Sequence, residues 1–171
     1  MKQRKPKKCK SCGGTYTPRS SFQKVCSYKC AIVLINELRW KGEKKILKEK
    51  LKTHKDWIQQ LQKVFNAYIR FRDKDLPCIS CGTNQNVEYA AGHFYPTTYQ
   101  FLRFNEDNVH KQCNKHCNMM LRGNLNEYRP HLEKKIGKDK LDWLYDHRHD
   151  RLDLSIPEIK KLINHYKNLT K

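Results

Sequence analysis

The chain has 171 residues, with 36 lysines and arginines against 17 acidic residues and a formal net charge of +19. Hydrophobic residues make up only 37%, which excludes one large core and leaves one ordinary domain or two small ones. The charge works against compaction and calls for a polyanionic partner, nucleic acid first; a protein-interaction adaptor has no use for it.

At the N-terminus, MKQRKPKKCKSC is basic but has no apolar stretch behind it, so it is not a secretory signal. Residues 1–8 read as a lysine-rich arm, with Lys7 and Lys8 as phosphate contacts. The longest aliphatic run is AIVLI at 31–35, too short for a bilayer. A cytosolic protein with no membrane role is expected, and there disulfides are rare.

The eight cysteines form four close pairs, Cys9/Cys12, Cys26/Cys30, Cys78/Cys81 and Cys113/Cys117. The spacings are C-x2-C, C-x3-C, C-x2-C and C-x3-C. A short C-x2-C turn places two sulfurs on one metal, and two such halves close a tetrahedral structural zinc site. Proximity pairs the first four cysteines in one site and the last four in another. Two structural zinc ions are therefore expected, and their binding free energy lets a chain with a thin core fold. Disulfide pairing is the alternative. Zinc by itself says little about function.

Between and after these sites the pattern is mostly helical. Ser27 is placed to cap a helix through AIVLINELRW, which Gly42 would interrupt. From Glu43 to Arg72, Trp57, Leu61, Val64, Phe65 and Tyr68 recur at helical spacing, an apolar face read as core packing rather than base stacking. That helix should stop before Pro77. Short β-type pieces such as NVEYAAGHF lead to a loop and a helix near Cys113. Helices follow at about 124–136, 138–147 and 156–169, the last with Ser155 as N-cap and Pro157 in its first turn. The expected class is α+β and predominantly helical. The expected division is an arm and zinc finger with its following helix (1–42), a connecting amphipathic helix (43–76), and a zinc-stabilised core with C-terminal helices (77–171).

Inside the second cysteine site lie His93, Asn108, His110 and His116, with Asn118 directly after Cys117. If one zinc ties the four cysteines, the segment between folds back as a β-hairpin against a helix, drawing His93 and Asn118 together. Phosphodiester hydrolysis needs a base for water, an offset for phosphate charge and stabilisation of the leaving 3′-oxygen. A neutral imidazole suits the first. Magnesium or manganese held by few protein ligands suits the others, and Asn118 has an oxygen to offer it. Asn108 suits a loop anchored by backbone hydrogen bonds. Arg103, Lys111, Lys115 and Arg122 lie close in sequence and are candidate phosphate contacts, although each could equally be a solvated charge.

CISCG, AGHF, LRFNEDNVHKQC, HCN, GN and YR, with FNAYIRFRD before them, resemble the NinG/Rap family of phage recombination proteins. The central part is similar to the HNH, or ββα-metal, nucleases, including phage enzymes of the endonuclease VII type. The resemblance implies a treble-clef-like ββα-metal core and a metal-dependent endonuclease acting on branched recombination intermediates, Holliday junctions and D-loops. It also implies work in the bacterial host cytosol beside phage or host recombination proteins. Cutting two strands suggests a homodimer. By the same resemblance His93 matches the general base, Asn108 the central asparagine and Asn118 the final metal ligand. Gly92 stands where many such enzymes carry a metal ligand. Either His93 itself ligates the ion, with His110 or His116 as base, or water fills most of the shell. The competing reading is a zinc protein that binds nucleic acid without cutting it.

Overall fold

The computed structural model describes residues 4–171. Two units divide at Lys52/Thr53. The first unit begins with a two-stranded ribbon, β1 (Lys7–Lys8) antiparallel to β2 (Thr15–Tyr16), and continues into helix α1 (Tyr28–Lys50). The Ser27 side chain accepts from the Cys30 backbone N–H, satisfying one of the amides that a helix start leaves without a partner. α1 runs through Gly42, where the sequence suggested a break and a domain boundary. Nothing among the described residues packs within 4 Å of a Cβ built there, and a single glycine costs a helix only about 1 kcal/mol.

The second unit opens with α2 (His54–Arg72). Thr53 and Asp56 form a reciprocal capping box: the Thr53 N–H donates to the Asp56 carboxylate at 2.9 Å, and the Asp56 N–H donates to Thr53 Oγ1 at 3.3 Å. This stop and restart at 51–53 splits the helical stretch that the periodicity alone ran from Glu43 to Arg72. Trp57, Leu61, Phe65 and Ile69, four residues apart, are buried together with Ala91, Val109, Ile159, Ile163 and Tyr166. Each fully buried side chain of this size contributes roughly 1.5–3 kcal/mol. The face is thus core, as its spacing suggested.

β3 (Tyr89–His93) and β4 (Val109–Cys113) form an antiparallel hairpin with Gly92 opposite His110 and His93 opposite Val109. Alternation along the strands sends Ala91 and Val109 to the α2 core. Where a regular helix was expected from Cys113, β4 instead runs to that residue, and a π-type segment (Asn114–Met120) follows. α3 (Leu125–Ile136), α4 (Lys138–Asp146) and α5 (Ile156–Leu169) complete the unit. Gly137, at φ +85°, separates α3 from α4. The Ser155 N–H donates to Glu158 Oε2 at 2.8 Å at the start of α5. Helix makes up about half of this mixed α and β chain. No helix among the described residues is long and apolar enough to cross a membrane.

Candidate functional site

The sulfurs of Cys78, Cys81, Cys113 and Cys117 all lie within 4.8 Å of one another, as do those of Cys9, Cys12, Cys26 and Cys30. Tight turns bring each pair in. Gly82 (φ +68°) follows Cys81 and Gly13 (φ +74°) follows Cys12, in left-handed conformations that glycine adopts without strain. Backbone amides aim at the sulfurs: the Cys113 N–H donates to Cys78 Sγ at 3.3 Å, and the Cys26 N–H to Cys9 Sγ at 3.4 Å. Sulfur separations of 3.7 Å (Cys12–Cys26), 3.5 Å (Cys26–Cys30) and 3.6 Å (Cys81–Cys113) match the edge of a zinc–thiolate tetrahedron, about 3.8 Å for bonds of about 2.3 Å.

Crowding splits the acidities. Burial and neighbouring sulfurs push the Cys117 thiol up to about 12. The Cys30 sulfur, ahead of its other neighbours, does the same to Cys26. The Cys12 backbone amide draws Cys9 down to about 6. A divalent cation would relieve this mutual repulsion, so both clusters fit zinc.

His93 ends β3, half-buried. Its Nε2 lies 3.0 Å from the Arg103 carbonyl oxygen. A carbonyl can only accept, so Nε2 carries the proton and the lone pair resides on Nδ1. Burial lowers the His93 pKa, with the Arg103 charge acting in the same direction and backbone carbonyls opposing. The imidazole is therefore neutral near pH 7.

Asn108 is fully buried. Its Oδ1 accepts from the Tyr95 N–H at 2.8 Å, and its Nδ2 donates to the carbonyls of Tyr95 (2.9 Å) and Leu102 (3.0 Å). His93 and Asn108 thus hold consecutive carbonyls of one 3-10 turn (Gln100–Phe104). Three bonds tie the Asn108 amide to the loop, the backbone anchoring that its setting suggested, and its full burial keeps it from direct contact with solvent. Asn118 lies half-buried in the π-type segment. No hydrogen bond joins it to His93 among the described residues.

The departure at Gly92 has a steric cause. A Cβ built on Gly92 would come within 2.3 Å of Gln112 Oε1 and 2.8 Å of Gln112 Cβ. Gln112 cannot swing away easily, because its Nε2 donates to Ser80 Oγ and to the Gly123 carbonyl, both at 2.6 Å. Its Oε1 is buried with no hydrogen-bond partner among the described residues. An amide oxygen from the facing strand therefore stands where a side chain at 92 would begin.

His110 does not serve as a base here. Its ring is buried against Arg72, Asp73 and Lys135. Its Nδ1 receives Arg72 Nη2 at 2.9 Å and Lys135 Nζ at 3.0 Å, while Nε2 approaches the Asp107 carbonyl at 3.2 Å. Two donors on Nδ1 require a neutral ring protonated at Nε2, so the 3.6 Å approach to Asp73 is not an ion pair. Burial lowers the His110 pKa, in agreement.

Asp73, at 2% exposure, is bound side-on by Arg72 at 2.9 and 2.8 Å and accepts from the Lys111 N–H at 3.1 Å. Burial opposes its ionisation, but the Arg72 guanidinium and the Lys111 backbone amide outweigh it and hold its pKa far below the usual carboxylate range. Sequence reasoning missed this network. Its only local trace is the Arg72-Asp73 pair at the end of α2.

The proposed phosphate contacts divide. Lys111 is buried; its ammonium donates to the carbonyls of Lys74 (2.9 Å) and Leu76 (2.6 Å) and sits 4.1 Å from the Tyr89 ring centre. That removes it from the phosphate contacts. Arg103 donates to Gln62 at 2.5 Å and stays partly open. Lys7, which reaches the Ser21 carbonyl at 2.7 Å, Lys8, Lys115, Arg122 and His116 are exposed.

These features define a chain assembled around two four-cysteine clusters, a class in which metal ligation supplements a thin core. The family model described as "Bacteriophage Lambda NinG protein" matches residues 36–171, and the chain belongs to that family. It is 44% identical over 128 residues to protein ninG of Escherichia phage lambda, covering 74% of this chain and 62% of that protein. It is 38% identical to protein ninG of Enterobacteria phage H19B, covering 91% and 88%. It is 47% identical to that of Salmonella phage P22, covering 63% and 53%. The match thus spans less than two thirds of the lambda and P22 proteins. No solved structure matches the chain.

Proposed function

We propose that this NinG-family chain is a metal-dependent DNA endonuclease that cuts branched recombination intermediates. The observation that carries the reading is His93: a neutral imidazole, its Nε2–H committed to the Arg103 carbonyl, at the end of a cysteine-clamped hairpin. Such an imidazole is oriented for one proton, at Nδ1. The ββα-metal resemblance and the charge of +19 support the same reading.

In the proposed reaction, water attacks the phosphorus while Nδ1 of His93 takes its proton. The P–O3′ bond breaks, leaving a 5′-phosphate and a 3′-hydroxyl once the 3′-oxygen is protonated. A magnesium or manganese ion would offset phosphate charge and stabilise the leaving oxygen. Half-buried Asn118 is the neutral donor that would serve it, with water and DNA phosphates completing the shell. Asn108 acts by fixing the loop whose neighbouring carbonyl fixes His93. Exposed Lys7, Lys8, Lys115 and Arg122, with Arg103, would position the backbone without reading sequence. Two such sites in a homodimer would cut paired strands.

The test is incubation of zinc-loaded protein with a labelled four-way junction, with and without magnesium or manganese. Metal-dependent nicking is expected, and His93→Ala should bind the junction but not nick it. Undiminished nicking by His93→Ala would remove the assignment of the base. The second reading, a zinc-dependent nucleic-acid-binding protein that does not cut, is favoured by one feature: Gln112 closes the space at Gly92. Tight junction binding without nicking under any divalent ion would decide for it.

A further inference from the structure

The 3-10 turn that anchors His93 and Asn108 also carries an aromatic ladder with no part in the reaction above. At the end of α4, Trp143 and the capping residue His147 stack with ring centres 4.2 Å apart and planes 19° apart. The His147 Nδ1–Trp143 carbonyl contact at 2.9 Å fixes the imidazole. Phe101, from the 3-10 turn, lies 6.3 Å from His147 at 24° and 6.1 Å from Trp143. Trp143 keeps 40% of its surface exposed, a large uncovered area for an indole ring.

Beside the ladder, the same turn and the loop after α4 enclose an open cleft of about 410 Å³ lined by Thr98, Tyr99, Gln100, Arg148, His149, Asp150 and Arg151. Tyr99 and His149 face each other at 5.5 Å. The Arg148 guanidinium lies 3.6 Å from the Tyr145 ring centre and donates to the Tyr145 carbonyl, so it is held in place at the rim. Arg151 is exposed. Asp150 is the one acidic group in this lining, against two guanidiniums.

We propose that this face, the Phe101–His147–Trp143 ladder with the adjoining arginine-rimmed cleft, holds an unpaired nucleotide of the DNA branch. The exposed Trp143 ring, backed by half-buried His147, accepts any base by stacking, and neighbouring cations accept its phosphate; together they suit a ligand defined by being unstacked rather than by its sequence. A fully paired duplex offers no free base face, so the site would distinguish DNA with an unpaired base, as at a D-loop or splayed arm, from fully paired DNA. Because Phe101 and the Arg103 carbonyl belong to one short turn, a base seated on the ladder brings its strand to the turn that orients His93. The inference rests on the reading of the chain as a DNA-binding protein and deepens it.

The test reads binding, not cutting. Wild-type protein, without added magnesium or manganese, is titrated into a splayed-arm junction and a single-strand-tailed duplex, each with one 2-aminopurine at the first unpaired position. A fully paired duplex with the same probe is the control. Quenching is expected at the unpaired position only. Trp143→Ala should lose the quench and weaken binding of the tailed DNA about tenfold, the size of one lost base stack, leaving the paired duplex unchanged. Trp143→Phe should retain most of both.

Arg151→Gln, at an exposed position, should lower the preference for tailed over paired DNA even if Trp143→Ala fails to fold, which metal content and circular dichroism would reveal. Equal preference in wild type and Arg151→Gln, no quench in wild type, or equal weakening of both DNAs by Trp143→Ala would overturn the proposal. Quenching by the matching RNA but not the DNA would overturn it too. Absence of junction cleavage, by contrast, would sink the nuclease reading and leave these results standing.

Discussion

Asp73 shows how one residue can organise a region from within. It carries its charge in a buried setting because Arg72 binds it side-on and Lys135 approaches at 3.5 Å. Asp73→Asn should leave these cations without an offset and cost about 3 kcal/mol, measured by urea denaturation at pH 7. The pH dependence follows from its lowered pKa. Above the unfolded carboxylate value, about 4, the stabilisation is complete; as pH falls below it, the unfolded chain takes up the proton first and stability is lost. His110, also lowered, adds an earlier loss as pH falls below about 6.5. Acid protonation of the two cysteine clusters would steepen unfolding in both proteins, so the Asp73 contribution is the difference between wild type and Asp73→Asn. That difference should shrink as pH drops from 5 to 3. Gly92 gives a second case. Gly92→Ala should cost about 1–3 kcal/mol by overpacking, whereas Gly92→Ala with Gln112→Ala should recover part of it. A neutral effect of Gly92→Ala on the melting temperature would contradict the contact with Gln112.

At the level of elements, the hairpin depends on two different supports. One face is held by α2 and α5 through Phe65, Val109 and Ile163; Phe65 meets Tyr166 edge-on at 5.1 Å. Phe65→Ala should therefore cost about 3–5 kcal/mol, read as a lower denaturation midpoint. The other support is the cysteine cluster that joins the turn at 78–81 to the end of β4 and the segment after it. Cys117→Ser should halve the bound zinc and unfold the hairpin unit while the first unit keeps its own metal. Elemental analysis of the variant, expected at about one zinc per chain against two in wild type, checks this. Values near zero in wild type, with disulfides in their place, would overturn the metal assignment.

For the whole molecule, the surplus of positive charge governs how it would meet DNA. If about six phosphates are neutralised, affinity should fall roughly a thousandfold between 50 and 200 mM salt. A junction affinity that barely responds to salt would refute the proposed backbone contacts. Within that set, Lys111→Gln should leave the salt slope unchanged but lower stability, because its ammonium bonds the Lys74 and Leu76 carbonyls. Lys115→Gln, at an exposed position, should lower the slope by about one.

The parts legible in the sequence were those written in short-range spacing. Four cysteine pairs announced two clusters because a C-x2-C turn has few other uses. The apolar face of α2 followed from steps of three and four, because helical geometry makes near neighbours of such residues, and Ser155 and Pro157 marked the start of α5. Tertiary structure alone decided what lies far apart in the chain. His110 and Arg72 are 38 positions apart, and only the folded hairpin turns that histidine from candidate base into buried acceptor. The carbonyl that selects the protonated nitrogen of His93 lies ten residues away. The side chain that demands glycine at 92 comes from the opposite strand. Local patterns record which elements form; the charge, tautomer and free space of a side chain depend on neighbours that only long-range folding supplies.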